Sequence, residues 1–242
     1  MSDGDTVNVV ATTDLVRGAR STRSTIALKI TMAVSGLIFV LWVLAHMYGN
    51  LKAFAGHDAF DEYAAHLRTM GQPILPHAGA LWIIRCILIV AIVAHVASAV
   101  VLWRRARRAR TTRYQVKRNR GSTLSSRTMR WGGICLLLFI VWHLVNFTAP
   151  RVNVTGGSTA DPYNLTVDSF RTWWLTLIYL AAMLALGMHI RHGVWSACQT
   201  LGWTSTTRAR HRAKQLGIVL AVVIAGGFSL VPIFVLAGVI TK

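Results

Sequence analysis

Five long apolar runs dominate the pattern of hydrophobic and polar positions along the chain. They cover about 30–49, 80–103, 131–149, 173–198 and 216–240. Each is near or above the ~20 residues that cross a bilayer as a helix. The runs are too long for strands and lack period-two alternation, so a transmembrane barrel is excluded. The first run follows a polar stretch and more spans follow it, so it reads as a span and not a cleaved leader. Between the first two runs, HDAFDEYAAHLRTMG puts Phe60, Tyr63, Ala64, Leu67 and Met70 at helical spacing before Gly71 and Pro73. This predicts a short amphipathic helix lying at the membrane interface. The segment Pro150 to Arg171 carries Gly, Pro, Ser and Asn and predicts a loop. The expected fold class is therefore an all-α integral membrane protein, a bundle of five transmembrane helices over 30–240 behind an N-terminal segment 1–29.

Composition agrees. Hydrophobic residues make up 54% of the 242 positions and charged residues 14%, with a mean hydropathy of +0.49. Soluble domains carry charge on about a quarter of their residues. The net charge of +18 would by itself suggest nucleic acid or an acidic membrane surface. Placement decides. Five spans put segments 1–29, 104–130 and 199–214 on one side with nineteen Lys/Arg, against five on the other: Lys52, Arg68, Arg151, Arg171 and Lys242. The positive-inside rule then sets the N-terminus in the cytoplasm and the C-terminus outside. The run WRRARRARTTRYQVKRNR becomes a topology determinant that touches anionic lipid or a cytoplasmic partner, and no nucleic acid is expected. Cys86, Cys135 and Cys198 lie far apart, which argues against a disulfide framework, a cysteine-held zinc or an iron–sulfur site.

The chemistry lies in the histidines. His46, His95, His143, His189 and His192 fall inside the spans, at least one in each of the first four and none in the fifth. A polar side chain in hydrocarbon needs a partner. Counting at ~1.5 Å per residue puts His46 ~24 Å and His143 ~18 Å from the inner edge, and His95 ~12 Å and His189 ~14 Å. Spans one and three run one way and two and four the other, so each depth-matched pair can close at one level. A zinc site needs three or four convergent ligands. Isolated histidines would each bond a neighbouring helix. Two pairs at two depths fit better to two haems, each held by one imidazole from each of two helices, which leaves no open iron position and favours electron transfer. Small residues leave room: Ser35, Gly36 and Gly49 around His46, Ala91, Ala94, Ala97 and Ser98 around His95, Gly132 and Gly133 opening the third span, Gly187 and Gly193 around His189. His192 shares a helix face with His189, so either could be the inner ligand. Arg191 and His192 are candidate partners for haem propionates.

The stretches SGLIFVLWVLAHMYGNLKAF, RCILIVAIVAHVASAVVLWRRARRAR, TMRWGGICLLLFIVWHLVNFT and MHIRHGVWSACQTLGW carry a family resemblance. From about Ser24 to Ile240 the chain resembles the single-chain, five-helix dihaem cytochrome b membrane subunit of succinate dehydrogenase and fumarate reductase. The resemblance implies two haems b, the outer on His46 and His143, the inner on His95 and His189, with the first histidine of H-x-x-H-G as the ligand. It also implies a flavoprotein (FAD) subunit and an iron–sulfur subunit on the cytoplasmic face, a bacterial plasma membrane, a possible higher oligomer, and turnover of a membrane quinone, with menaquinone the expected type. The chain carries no FAD fingerprint and no iron–sulfur cysteine pattern, so oxidation of succinate belongs to the partners. Quinone chemistry needs proton donors near a haem edge. The outer candidates are Arg85, Glu62 and His66, with His77 beside them; the inner ones are Arg23, Ser24 and Trp131. Arg85 leads, because a charge inside a span is functional by default. Two other readings compete: the dihaem subunit of another quinone-linked dehydrogenase, and a transporter whose histidines relay protons. Few acidic membrane residues and no evident repeat count against the transporter.

The charge pattern makes a direct prediction. In a cysteine-accessibility scan, a label placed just after residue 110 reacts from the cytoplasmic side and one just after residue 155 from the outside. Labelling of both from one side would break the five-span topology.

Overall fold

The computed structural model describes the backbone of residues 6–109, 124–148, 155 and 160–242, and the side chains of these except 6–24 and 125–127. Among the described residues the chain is all-helical. Helix α1 runs from Thr6 to Leu51 and a 3₁₀ turn follows at Lys52–Ala55. The remaining helices are α2 (His57–Thr69), α3 (Gly79–Arg108), α4 (Leu124–Thr148), α5 (Pro162–Arg171), α6 (Trp173–Thr200) and α7 (Thr207–Leu236). Five segments are long and apolar enough to cross a membrane: Thr25–Ala55, Gly79–Arg108, Thr128–Thr148, Trp173–Thr200 and Thr207–Leu236. Such runs become helices because hydrocarbon offers the backbone no other hydrogen-bond partner. The outside of the bundle is apolar too. Leu41, Val90, Leu138, Leu184 and Val222, one from each span, are 66–69% exposed. A water-soluble bundle would not leave such a surface on every helix.

Two helix ends differ from the sequence expectation. Helix α1 begins at Thr6, well inside the polar segment, because that segment has no proline to stop the backbone continuing outward from the membrane. Helix α7 begins nine residues before the apolar run, at Thr207, where the Thr206 hydroxyl accepts from the amide of Ala209 at 3.1 Å. It ends at Leu236, four residues before Ile240. Gly238 at φ 74° turns the chain, and the amides of Val239 and Ile240 bond back to Phe234.

Helices α1, α6 and α7 pack on one another as a trunk. Helix α3 lies on α1 and α4 lies on α6. The tightest seam is α6 against α7. A Cβ on Gly217 would stand 2.7 Å from the Arg191 carbonyl oxygen, so only glycine lets the backbones come this close. Gly227 of α7 faces the Met47 side chain of α1, which would have to shift for a Cβ there. By contrast, neither α1 with α4 nor α3 with α6 is a packed pair among the described residues.

One end of the bundle is basic. Arg105 and its neighbours close α3 there, Arg105 donates to Thr25 Oγ1 at 2.9 Å, and α7 opens with Arg208, Arg210 and Arg212. The other end is roofed by α2 and α5. Helix α2 has the predicted face: Phe60, Tyr63, Ala64, Leu67 and Met70 are half-buried while Glu62, His66 and Arg68 are exposed. A Cβ on Gly49 would lie 2.8 Å from Tyr63, which shows how closely α2 sits on α1.

The loop expected over 150–171 is corrected in its second half. Residues 162–171 form α5, and Tyr163, Leu165, Thr166, Val167, Ser169 and Phe170 are buried. The signal was local. Asp161 caps the helix by accepting from the amide of Asn164 at 2.9 Å, and Pro162 occupies the first position, where its missing N–H costs nothing. Tyr163, Val167 and Phe170 then join Tyr179, Val231 and Val235 in one apolar cluster. Tyr163 donates to the carbonyl of Thr241 at 2.8 Å and Lys242 meets Asp168 at 2.7 Å, so the C-terminus is held against α5.

His57 links the two roof helices. Its Nε2 lies 3.6 Å from Asp61 and 3.5 Å from Asp161, and its Nδ1 lies 3.3 Å from Asp58. Hydrogen bonding to Asp58 first, with Asp161 and Asp61 adding, raises the His57 pKa above its ordinary 6.5. Asp161 is held below its ordinary 3.8, first by the Asn164 amide. A raised histidine contributes in full below pH 6.5 and loses its contribution as pH rises through the raised value. A depressed carboxylate contributes in full above pH 3.8 and loses its contribution as pH falls through the lowered value. The contact is therefore strongest between these limits. Hydrogen exchange of α2 and α5, corrected for intrinsic rates, should speed up between pH 6 and pH 9 in the native protein. It should be flat over that range in His57→Gln. A pH response that survives the substitution would assign it to another group.

Candidate functional site

The four spans that carry histidines bring them together in two pairs. His46 of α1 meets His143 of α4 with ring centroids 5.8 Å apart and planes at 79°. His95 of α3 meets His189 of α6 at 6.3 Å and 56°. Each pair joins helices that are not a packed pair among the described residues, so the imidazoles meet between helices that are not close neighbours. Their levels are distinct. Ser35 touches His95 and lies eleven residues before His46 on the same helix, so the pairs are ~16 Å apart along the axis.

The His46–His143 site is aromatic. Trp42, one turn below His46, stacks on it at 5.6 Å and 11°, and Phe228 of α7 comes to 5.7 Å. Phe139 and Phe147 flank His143 from one turn on either side, at 5.9 and 5.3 Å. His143 Nδ1 lies 3.2 Å from the hydroxyl of Tyr179 on α6. The other site is built on backbone. His95 Nδ1 lies 3.1 Å from the Met32 carbonyl and 3.2 Å from Ser35 Oγ, which itself donates to the Thr31 carbonyl at 2.7 Å. His189 Nδ1 is buried and has no hydrogen-bond partner among the described residues. Glycines face both rings: a Cβ on Gly36 would stand 3.2 Å from His95 Cε1, and one on Gly133 3.5 Å from His189 Cε1.

Ser35 and Gly36 thus serve His95, not His46 as the sequence suggested. Ten or eleven residues of helix carry them to the level of the other pair. Gly187 faces Ala225 on α7, and Gly193 faces open space. His189, and not His192, is the ring that meets His95; His192 is half-buried one turn on. Arg191 is exposed. Arg85 is exposed and lies over the Trp82 ring at 4.9 Å, a cation–π contact. Glu62, His66 and His77 are exposed, as is Trp131. The side chains of Arg23 and Ser24 lie outside the described ones.

Sequence reasoning missed Tyr179, Asn146 and Ser169. All three are buried. For Tyr179 and Asn146 a polar group inside an apolar run was the available signal, since each must find a partner there; Ser169 lies in the segment expected to be a loop.

The donor set fits a metal centre of one kind. Two facing imidazoles per site, an orphaned buried Nδ1, glycines against the rings and unpacked helix pairs make room for a flat group ligated from both faces.

The chain matches the model of the succinate dehydrogenase/fumarate reductase transmembrane subunit family over residues 104–229. That range holds His143 and His189; the geometry ties them to His46 and His95 on helices before it. No curated sequence and no solved structure gives a match.

Proposed function

Because the chain belongs to the family of succinate dehydrogenase/fumarate reductase transmembrane subunits, we propose that it carries electrons between an iron–sulfur subunit and membrane quinone through two haems b. The observation that carries this reading is the closing of each histidine pair across two unpacked helices. A haem held by two imidazoles supplies a one-electron carrier with no open iron position. His46 and His143 hold one, and His95 and His189 the other. The chain's own work is placement. It fixes four imidazoles at two levels, keeps water out with the aromatic rings around His46 and His143, and faces small residues to His95 and His189.

The His95–His189 level is the nearer to the basic end, and there the iron–sulfur and flavoprotein subunits dock. This end is cytoplasmic by the positive-inside rule, and the C-terminus lies outside. Arg191 and His192 lie on the same side of His189 and suit propionate carboxylates. The quinone end lies beneath α2, which packs on α1 and on α3. Arg85, Glu62 and His66, exposed in that region, are the groups assigned to quinone.

Purification in mild detergent should bring down a flavoprotein and an iron–sulfur protein with this chain, and the complex should show a b-type reduced-minus-oxidised spectrum. Recovery with the partners of a different dehydrogenase would redirect the reading. Single substitutions test the pairs. Among variants that assemble, His46→Ala and His143→Ala should deplete one spectral component, and His95→Ala and His189→Ala the other. His192→Ala should keep both. Loss of the same component from His46→Ala and His95→Ala would refute the pairing, and loss of a haem from His192→Ala alone would move the ligand to that residue.

A further inference from the structure

Buried polar side chains gather beside His143. The Tyr179 hydroxyl stands 3.2 Å from His143 Nδ1. Asn146, three residues after His143 on α4, donates from Nδ2 to Ser169 Oγ of α5 at 3.3 Å. Tyr179, Asn146 and Ser169 are all nine-tenths or more buried. The phenol ring is fixed as well. Phe139 and Phe170 meet it edge-to-face at 4.9 and 5.0 Å, and Phe147 at 6.1 Å. Apolar rings on several sides and a hydrogen bond at its tip leave Tyr179 one position.

We propose that Tyr179 is the positioning residue for His143, accepting a hydrogen bond from Nδ1–H so that Nε2 faces the pocket, and that this bond tunes the haem of that pair and not the other. The inference rests on His143 being a haem ligand. An imidazole that donates from Nδ1 is held in one tautomer and orientation, and its Nε2 becomes a stronger donor to a metal. A stronger donor favours the oxidised iron, so hydrogen bonding around the ligand is one of the levers on potential. At the second pair His95 Nδ1 stands against the Met32 carbonyl and the Ser35 hydroxyl, so no phenol serves there. His46 is surrounded by Trp42, Phe228 and His143 rings. Tyr179 is therefore a side chain through which the haem of the His46–His143 pair can be adjusted apart from the other.

The test is a redox titration of the intact complex carrying Tyr179→Phe, which keeps the ring and removes the hydroxyl. The component that is lost in His143→Ala should move to a higher midpoint potential, and the low-temperature electron paramagnetic resonance of the same oxidised haem should shift. The other component should keep its parental values. If Tyr179→Phe does not accumulate, replacement of tyrosine by 3-fluorotyrosine in the unsubstituted protein weakens the acceptor without removing it. The same component should then rise, by less. Unchanged potentials in either experiment would overturn the proposal, and so would an equal shift of both haems, which marks a general disturbance. Failure of the underlying reading looks different: the unsubstituted complex would itself lack two bis-imidazole haems.

Discussion

A ring nitrogen buried in hydrocarbon must have a partner, and the arrangement of this bundle follows from that constraint. Leaving such a group unsatisfied costs about 1–3 kcal/mol. Here the constraint applies four times over, and one nitrogen, His189 Nδ1, has no hydrogen-bond partner among the described residues. The two helices that share a histidine pair are not packed on each other among the described residues, and the imidazoles meet between them. Well-packed membrane helices place small residues at their contacts and approach closely. That happens in α6 against α7, where Gly217 meets the Arg191 backbone. Two kinds of helix contact thus coexist, a tight seam that gives rigidity and imidazole contacts between helices that are not packed on each other.

Connectivity makes the two pairs possible. Thr25 meets Arg105 and Ser35 meets His95, while Gly133 faces His189 and His143 meets Tyr179, so α1 and α4 run one way and α3 and α6 the other. Helices of like direction share levels, and a pair of histidines at equal depth can close between them. Helix α7 carries no histidine in its apolar stretch. It braces α6 and α1, and Phe228 reaches from it to His46. The roof of α2 and α5 closes the end nearest His46 and His143, through the apolar cluster of Tyr163, Phe170 and Tyr179.

The five spans and the membership of each histidine pair were legible because they rest on length, rise per residue and direction, which a sequence states directly. Depth counting matched His46 to His143 and His95 to His189, and the rings meet in those combinations. What escaped depends on rotation and tertiary position. Ser35 and Gly36 were read with His46 because they precede it on one helix, yet they face the other pair. Tyr179 lies 36 residues from His143, and nothing in the spacing couples them. Helix α5 was hidden by its polar composition, although the Asp161 cap and Pro162 are ordinary helix-start signals. The choice of His189 over His192 needed the family resemblance at first; the ring contact with His95 now supports it from geometry.

The central claim is that two histidine pairs hold two haems at two levels of one membrane subunit. The most direct measurement is the haem content of the purified complex per copy of this chain, taken with electron paramagnetic resonance of the oxidised sample. The account predicts two haems b per chain and two distinct low-spin signals of bis-imidazole type. A single haem, a non-stoichiometric trace, or a high-spin signal from an iron with an open position would contradict it.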